Sequence, residues 1–166
     1  MIFVQIMHDS TRPYRGRFAP SPTGLLHFGS LVAAVGSCLE ARWNRGRWLV
    51  RMEDLDRPRE ARGASRAILK MLEAYGFEWD GEVMFQSRRD TAYGAALKLL
   101  EYGRAVFPCA CTRREISDST VFAVGESIYP GTCRKGPPPG RSARAVRVRV
   151  DNAVIAFEDL LQGRIE

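Results

Sequence analysis

The stretch near the N-terminus that is best suited to chemistry is RFAPSPTGLLHFGS, residues 17–30. Two prolines, two glycines and a histidine here separate a short apolar run from a long helical pattern. A loop that rises from a strand and enters a helix gathers backbone N–H groups and the positive end of the helix dipole, so it attracts phosphate. His27 could hydrogen-bond a phosphate oxygen and stabilise the charge that develops on it. The alternative is that His27 only caps the helix and that the prolines set a turn.

Side chains that could bind charged groups of a ligand occur in this stretch and in RMEDLDRPR, residues 51–59. Arg17 can hold a carboxylate through two parallel N–H donors, a geometry that lysine does not match. Ser21 offers a short hydroxyl contact, and Glu53 can receive an ammonium group. The alternative for Arg17 and Glu53 is a structural ion pair between adjacent strand ends. For Arg59 and its charged neighbours, surface ion pairs and helix capping are the alternative.

Three cysteines have a spacing that suits a metal ion. Cys109 and Cys111 form a C-x-C pair, and Cys133 follows after 21 intervening residues. Structural zinc usually takes four ligands, and the only two histidines of the chain, His8 and His27, are not available here. The fourth ligand is therefore an oxygen or a water, unless the three thiols bind no metal.

Basic residues accompany the cysteines and continue toward the C-terminus. They include Arg141, Arg144, Arg147 and Arg149. Such residues would suit the backbone of an RNA. A solvated basic strand explains them equally well.

Hydrophobic periodicity predicts the elements that must position these residues. A strand over 14–19, a helix over 25–44 and a second strand over 47–52 follow one another. This order indicates a parallel pair with a right-handed crossover, so APSPTG and EDLDRPR leave from the carboxyl ends of neighbouring strands. The later elements are a helix over 59–75, a weaker strand over 83–87, a helix over 90–103 and a strand over 143–150 with one solvated basic face.

The composition of the whole chain sets further limits. A chain of 166 residues with 45% hydrophobic content suits one globular domain, or one with a small insert. The N-terminal apolar run is too short for a membrane span, and no basic residue precedes it as in a secretory signal. The cysteine pattern suits a reducing compartment, so a cytoplasmic protein without membrane contact is expected. The net charge of +6 favours a polyanionic partner such as nucleic acid.

RFAPSPTGLLHFG together with RMEDLDRPR resembles the class I glutamyl-tRNA synthetases, whose HIGH signature corresponds to residues 27–30. Phe28 and Ser30 depart from that signature. The resemblance implies an α/β fold: a Rossmann-like (HUP-type) nucleotide-binding domain with a parallel sheet and an inserted zinc-bound loop module. It implies three segments: the first part of the catalytic domain in residues 1–107, a zinc-binding insert in 108–140, and a return to the catalytic domain, incomplete at its C-terminus, in 141–166.

HFGS, the cysteine module and the short spacing are more similar to the glutamyl-Q tRNA(Asp) synthetases, which keep the catalytic domain without an anticodon-binding domain. This resemblance implies an aminoacyl-tRNA synthetase-like ligase that activates L-glutamate with ATP and Mg²⁺ to glutamyl-adenylate. The glutamate is then transferred to the queuosine base in the anticodon of tRNA(Asp). A structural Zn²⁺ and a monomer are expected.

The resemblance also implies roles for individual residues. The catalytic residues would be His27, Gly29 and Ser30. The glutamate site would comprise Arg17, Phe18, Ala19, Pro20, Ser21 and Glu53, with the backbone of Phe18, Ala19 and Pro20 lining it. The nucleotide site would comprise Pro20, His27, Gly29 and Arg59, and the zinc ligands would be Cys109, Cys111, Tyr129 and Cys133.

Two other functions fit the sequence. One is the catalytic fragment of an ordinary glutamyl-tRNA synthetase that charges the 3′ end of tRNA(Glu). The other is an inactive, zinc-stabilised RNA-binding remnant of a synthetase. The lysine-rich KMSKS loop of the family does not occur before Glu166. We therefore expect either a partial chain, covering about half of the catalytic region, or a protein that has lost activity.

Overall fold

The computed structural model of the chain describes residues 13–118, 122–123, 126–127, 129–150, 154–159 and 161–166. The described residues divide into two compact units, one from Pro13 to Ala92 and one from Tyr93 onward. Each unit has a hydrophobic core of its own. The three segments that the resemblance implies, 1–107, 108–140 and 141–166, stay a prediction.

A parallel sheet of three strands, in the order β1-β2-β3, forms the basis of the first unit. The elements are β1 (Arg15–Phe18), α1 (Phe28–Trp43), β2 (Arg47–Met52), α2 (Ala64–Ala74) and β3 (Met84–Phe85). Arg17 of β1 lies opposite Leu49 of β2. The parallel β1–α1–β2 unit and the third strand are confirmed.

The core of this unit lies between one face of the sheet and the two helices. Its buried residues are Phe18, Ala34, Ala41, Trp48, Val50, Met52, Ile68 and Leu72. Trp48 is fully buried, and its ring stacks on Phe77 with 5.3 Å between ring centroids. The indole Nε1–H of Trp48 donates to Ser37 Oγ at 3.0 Å, which satisfies the one polar group of this side chain.

Helix α1 packs on β1 through small residues. Ala41 is fully buried, whereas Val32 and Leu39 are 52% and 64% exposed. A Cβ built on Gly16 of β1 would lie 2.9 Å from Ala41 Cβ, so strand and helix approach each other at their backbones. The predicted helix is confirmed, but its large apolar residues are not its buried ones, because only small side chains fit at this distance.

Helix α2 begins later than the predicted residue 59. A 3₁₀ turn occupies Arg57–Arg59, and Gly63 precedes the helix with φ of 78°. This left-handed conformation is one that glycine adopts without steric cost. Gly76, with φ of 78°, follows the helix and stops it, as the sequence predicted.

The strands described in the second unit pair in antiparallel fashion. Its elements are α3 (Asp90–Tyr102, which begins in the first unit), β4 (Val106–Cys109), α4 (Arg113–Asp118), β5 (Phe122–Ala123), β6 (Glu126–Ser127), β7 (Ala145–Val148), β8 (Phe157–Asp159) and β9 (Gly163–Ile165). The pairs are β4 with β7, β5 with β6, and β8 with β9. No helix in the described part of the chain has both the length and the apolar character that crossing a membrane requires.

Strand β7 corrects the expectation of a solvated basic face. Val146 and Val148 are 49% and 59% exposed, whereas Arg147 between them is half-buried. The guanidinium of Arg147 lies over the ring of Tyr129, with its Cζ 4.3 Å from the centroid. The strand does alternate, but the charged side chain points inward because an aromatic ring receives it there.

We expect Gly16→Ala to destabilise the chain by about 1–3 kcal/mol, since the added methyl group would meet Ala41 Cβ and the Ser37 carbonyl oxygen at 2.9 Å. Gly36→Ala is the matched control. It lies within α1 with nothing inside 4 Å of an added Cβ, so we expect stabilisation by about 0.5–1 kcal/mol. Urea unfolding followed by tryptophan fluorescence measures both. A neutral Gly16→Ala would contradict the close packing of α1 on β1.

Candidate active site and metal centre

Two loops lie side by side at the carboxyl ends of neighbouring parallel strands. The first loop, residues 19–27, follows β1, and the second loop, residues 53–63, follows β2. The Glu53 N–H donates to the Pro20 carbonyl at 2.9 Å, and the Ala61 N–H donates to the Pro22 carbonyl at 2.9 Å. The predicted juxtaposition of the two loops is confirmed, and these backbone bonds maintain it.

A cavity of about 280 Å³ lies between the loops. Its lining residues are Ser21, Pro22 and Thr23 of the first loop and Glu53, Asp54, Asp56, Arg59 and Glu60 of the second. The structure thus brings together Ser21, Glu53 and Arg59 of the predicted site residues. Arg59 pairs with Asp56 at 2.6 Å, so the carboxylates dominate the charge of the lining. Such a lining suits an ammonium group better than a phosphate.

Glu53 forms its ion pair with Arg51, which lies near the end of β2. The alternative pairing of Glu53 with Arg17 at the strand ends is not seen. Arg17 is exposed, because alternate residues of β1, Gly16 and Phe18, take the buried face. Arg17 therefore stands on the open face of the sheet, immediately before the first loop, and does not line the cavity.

The residues that begin the first loop contribute backbone rather than side chains. Phe18 is 7% exposed and packs in the core against Trp48. Pro20 is buried and its carbonyl accepts from Glu53, while Ala19 is half-buried. That the backbone of these residues lines a glutamate site stays a prediction.

His27 is the N-cap of α1. Its Nδ1 accepts from the Ser30 N–H at 3.3 Å, and Ser30 Oγ lies 3.1 Å from Nε2. A Cβ on Gly29 would come within 3.1 Å of the His27 Cε1, so glycine leaves room for the ring. The capping alternative is therefore realised. His27 remains exposed at the start of α1, where it does not line the cavity.

The three predicted cysteine ligands converge in the second unit. The Sγ atoms of Cys109, Cys111 and Cys133 all lie within 4.8 Å of one another. The Tyr129 hydroxyl joins them, 3.4 Å from Cys109 Sγ and 3.8 Å from Cys111 Sγ. Cys109 and Cys133 are buried in the core of this unit.

These distances fit a tetrahedral zinc ion. Bonds of about 2.3 Å to sulfur and about 2.0 Å to oxygen place two sulfurs about 3.8 Å apart, and a sulfur and an oxygen about 3.5 Å apart. Cys111 Sγ and Cys133 Sγ are 3.6 Å apart, and the two sulfur–oxygen distances bracket the expected value. The donor set could therefore hold zinc, with the phenol oxygen as fourth ligand.

The electrostatics of this cluster favour a thiolate but not a phenolate. Burial raises the pKa of Cys109, but hydrogen bonds from Tyr129 and Arg147 outweigh it and lower that pKa. Burial and the Cys109 hydrogen bond raise the pKa of Tyr129. A phenolate ligand would thus need the positive charge of a bound metal to form.

Two basic residues that follow the predicted insert hold the second unit together. Arg141 pairs with Glu115 at 2.8 Å and donates to the Ala110 carbonyl at 2.9 Å. Arg141 lowers the pKa of Glu115 to about 2. The Arg149 guanidinium donates to the Arg134 carbonyl at 3.0 Å. These contacts account structurally for part of the basic pattern, and contact with RNA stays a prediction.

A buried carboxylate at the cavity was not predicted from the sequence. Asp54 is 9% exposed and accepts two hydrogen bonds from Ser87. Burial raises the pKa of Asp54, but the Ser87 hydrogen bonds prevail and lower it. The only signal for Ser87 was its place at the end of the weak third strand, where ligand loops are expected.

Comparison with known protein families gives one match over most of the chain. The catalytic-domain model of the class I tRNA synthetases (E and Q) matches residues 14–166. The resemblance seen in the sequence motifs is thereby confirmed.

The chain is also similar to curated proteins of one name. It is 60% identical over 155 residues to the glutamyl-Q tRNA(Asp) synthetase of Dechloromonas aromatica, covering 92% of this chain and 52% of the relative. It is 56% identical over 158 residues to the glutamyl-Q tRNA(Asp) synthetase of Aromatoleum aromaticum, and this match covers 95% of this chain and 50% of the relative. The chain thus spans about half the length of the curated relatives it matches.

Among solved structures, the chain is similar to a glutamate tRNA ligase from Elizabethkingia meningosepticum, with a TM-score of 0.76 and 24% sequence identity. The match covers 93% of this chain and 36% of the ligase. A synthetase from Elizabethkingia anophelis gives the same values. This likeness shows the fold, a class I synthetase-like α/β domain.

We expect the chain to bind zinc. Loss of a hydrogen-bond partner of a metal ligand costs about 10- to 100-fold in metal affinity. Cys111→Ser removes a ligand itself, so we expect it to lower the zinc affinity by more than that. Cys38→Ser is the matched control, since Cys38 lies on α1 in the other unit. Zinc content after dialysis and the thiolate absorption of the Co²⁺-loaded protein measure binding. Equal zinc content in wild type and Cys111→Ser would show that the cysteines are not ligands.

Proposed function

The chain belongs to the catalytic-domain family of the class I tRNA synthetases for glutamate and glutamine, and on this premise we propose that it carries part of a site that activates L-glutamate. The proposed reaction uses ATP to form glutamyl-adenylate and then transfers glutamate to the queuosine base in the anticodon of tRNA(Asp). The observation that carries the proposal is that Ser21 and Glu53 line the same cavity, because the bond from the Glu53 N–H to the Pro20 carbonyl holds their two loops together.

Recognition of glutamate requires opposite charges at separate places. Glu53, held by Arg51, would accept the substrate ammonium at the acidic cavity. Arg17, on the open face of the sheet, would hold a carboxylate through two N–H donors. Ser21 would add a hydroxyl contact, and the backbone of residues 18–20 would line the site.

Activation requires attack of a glutamate carboxylate oxygen on the α-phosphorus of ATP, with pyrophosphate as leaving group. His27 would bind a phosphate oxygen at the N-terminus of α1, with Gly29 and Ser30 setting the position of its ring. Pro20 and Arg59 would complete the nucleotide site. Mg²⁺ bound with ATP would offset the charge of the pyrophosphate. These residues position and stabilise, and none of them is asked to form a covalent intermediate.

The metal cluster has a structural role in this proposal. A zinc ion held by Cys109, Cys111, Cys133 and Tyr129 would tie β4 to the chain that follows it. The basic residues of the insert would then present a stable surface to the tRNA backbone.

The names of the relatives favour tRNA(Asp) over tRNA(Glu) as acceptor. Two relatives named glutamyl-Q tRNA(Asp) synthetase are 60% and 56% identical to the chain. Charging of tRNA(Glu) remains the second candidate. An RNA-binding remnant would have no need to keep Ser21 and Glu53 together at one cavity.

Transfer of labelled glutamate tests the acceptor, using this chain and the longest protein that carries it. We expect label on tRNA(Asp) that contains queuosine, with or without its 3′-terminal adenosine, since the base and not the 3′ end would be modified. tRNA(Asp) without queuosine is the matched control and should stay unlabelled. Labelling of tRNA(Glu) at its 3′ end would instead establish the ordinary synthetase.

A further inference from the structure

Asp54 is the one charged residue that is buried in the part of the chain that the structure describes. Both oxygens of its carboxylate bind the same residue. The Ser87 N–H donates to Oδ1 at 2.9 Å, and the Ser87 hydroxyl donates to Oδ2 at 2.6 Å. We call this pair of bonds the Asp54–Ser87 clamp.

The clamp joins two loops that the sheet itself connects only weakly. Strands β2 and β3 share two residue pairs, Arg51 with Met84 and Met52 with Phe85. Asp54 follows the end of β2, and Ser87 lies in the 3₁₀ turn after β3. The clamp therefore extends the contact between these strands beyond the last paired residues, to the edge where the cavity lies.

Glu53 stands between two tethers. Its own N–H is bound to Pro20, on the β1 side, and the next residue is bound to Ser87, on the β3 side. Glu53 is thus held by a backbone bond on one side and by the side chain of the next residue on the other. The direction of the Glu53 carboxylate depends on this backbone as well as on its ion pair with Arg51.

We propose that Ser87 is a positioning residue for the glutamate site, which acts by holding Asp54 and thereby fixing Glu53 at the cavity. This inference rests on the proposed function for the role of Glu53. Ser87→Ala would keep the backbone bond to Oδ1 and remove the hydroxyl bond to Oδ2. A buried carboxylate oxygen that loses its partner is costly, so this loss favours movement of Asp54 toward water. That movement would take the neighbouring Glu53 out of place.

Amide hydrogen exchange of the chain tests the clamp without any activity. In Ser87→Ala the Glu53 amide should exchange about tenfold faster or more, as loss of a hydrogen bond to a charged group implies. The Trp48 amide, bound to Asp80 at 2.7 Å in the same unit, should not change in parallel. Ser87→Thr keeps the hydroxyl and should restore slow exchange of Glu53.

Ser37→Ala is the matched control for loss of a serine hydroxyl. Ser37 Oγ accepts from Trp48 Nε1 and donates to the Ala34 carbonyl, so its removal should lower the stability without selectively affecting Glu53. Equal acceleration of the Glu53 and Trp48 amides in Ser87→Ala would overturn the proposal, because the clamp would then be only a contribution to global stability. Unchanged exchange in Ser87→Ala would overturn it as well.

Glutamate-dependent pyrophosphate exchange, in the longest protein that carries this chain, tests the second step. Ser87→Ala should raise KM for glutamate about tenfold while KM for ATP changes little, and Ser87→Thr should restore it. Selective exchange of the Glu53 amide with an unchanged glutamate KM would overturn the positioning role. If wild type shows no glutamate-dependent activity, the proposed function fails and the glutamate role of Ser87 fails with it, while amide exchange still decides whether the clamp holds Glu53.

Discussion

The hydrogen bond from the Glu53 N–H to the Pro20 carbonyl fixes the relation between the two loops on which the candidate site depends. It continues the parallel pairing of β1 and β2 past their last paired residues. Without it, the second loop would leave the sheet independently of the first, and Ser21 and Glu53 would have no reason to share a cavity. The two prolines of the first loop, Pro20 and Pro22, restrict the backbone around the Pro20 carbonyl, which accepts this bond.

The second unit is organised by charge as much as by apolar packing. Its small core consists of Phe107, Cys109, Ala110 and Cys133. Around it, arginine side chains cover aromatic rings and bind backbone carbonyls. A metal ion in the cysteine cluster would add the cross-link that so small a core needs. The basic composition of the chain therefore has a structural cause in addition to any affinity for nucleic acid.

Features that depend on the spacing of residues could be predicted from the sequence. Features that depend on contacts between residues distant in the sequence could not. The parallel strands, the loops at their ends and the grouping of Cys109, Cys111 and Cys133 follow from patterns in the sequence, whereas Tyr129 was expected there only from the resemblance to the synthetase family. The buried face of α1 does not follow from such a pattern, because Gly16 admits alanines and excludes the larger residues. The inward orientation of Arg147 and the clamp on Asp54 depend on partners distant in the sequence, which periodicity does not reveal.

The central claim is that the strand-end loops form a glutamate-activating site. Glutamate-dependent ATP–pyrophosphate exchange without tRNA tests it most directly. It is measured on this chain and on any longer protein that contains it. We expect exchange in wild type and in Arg15→Ala, the exposed control on the same strand. Arg17→Ala should lower kcat/KM for glutamate by about 100-fold, as loss of two charge-assisted hydrogen bonds implies. Normal exchange in Arg17→Ala, or none in wild type with or without tRNA, would contradict the account.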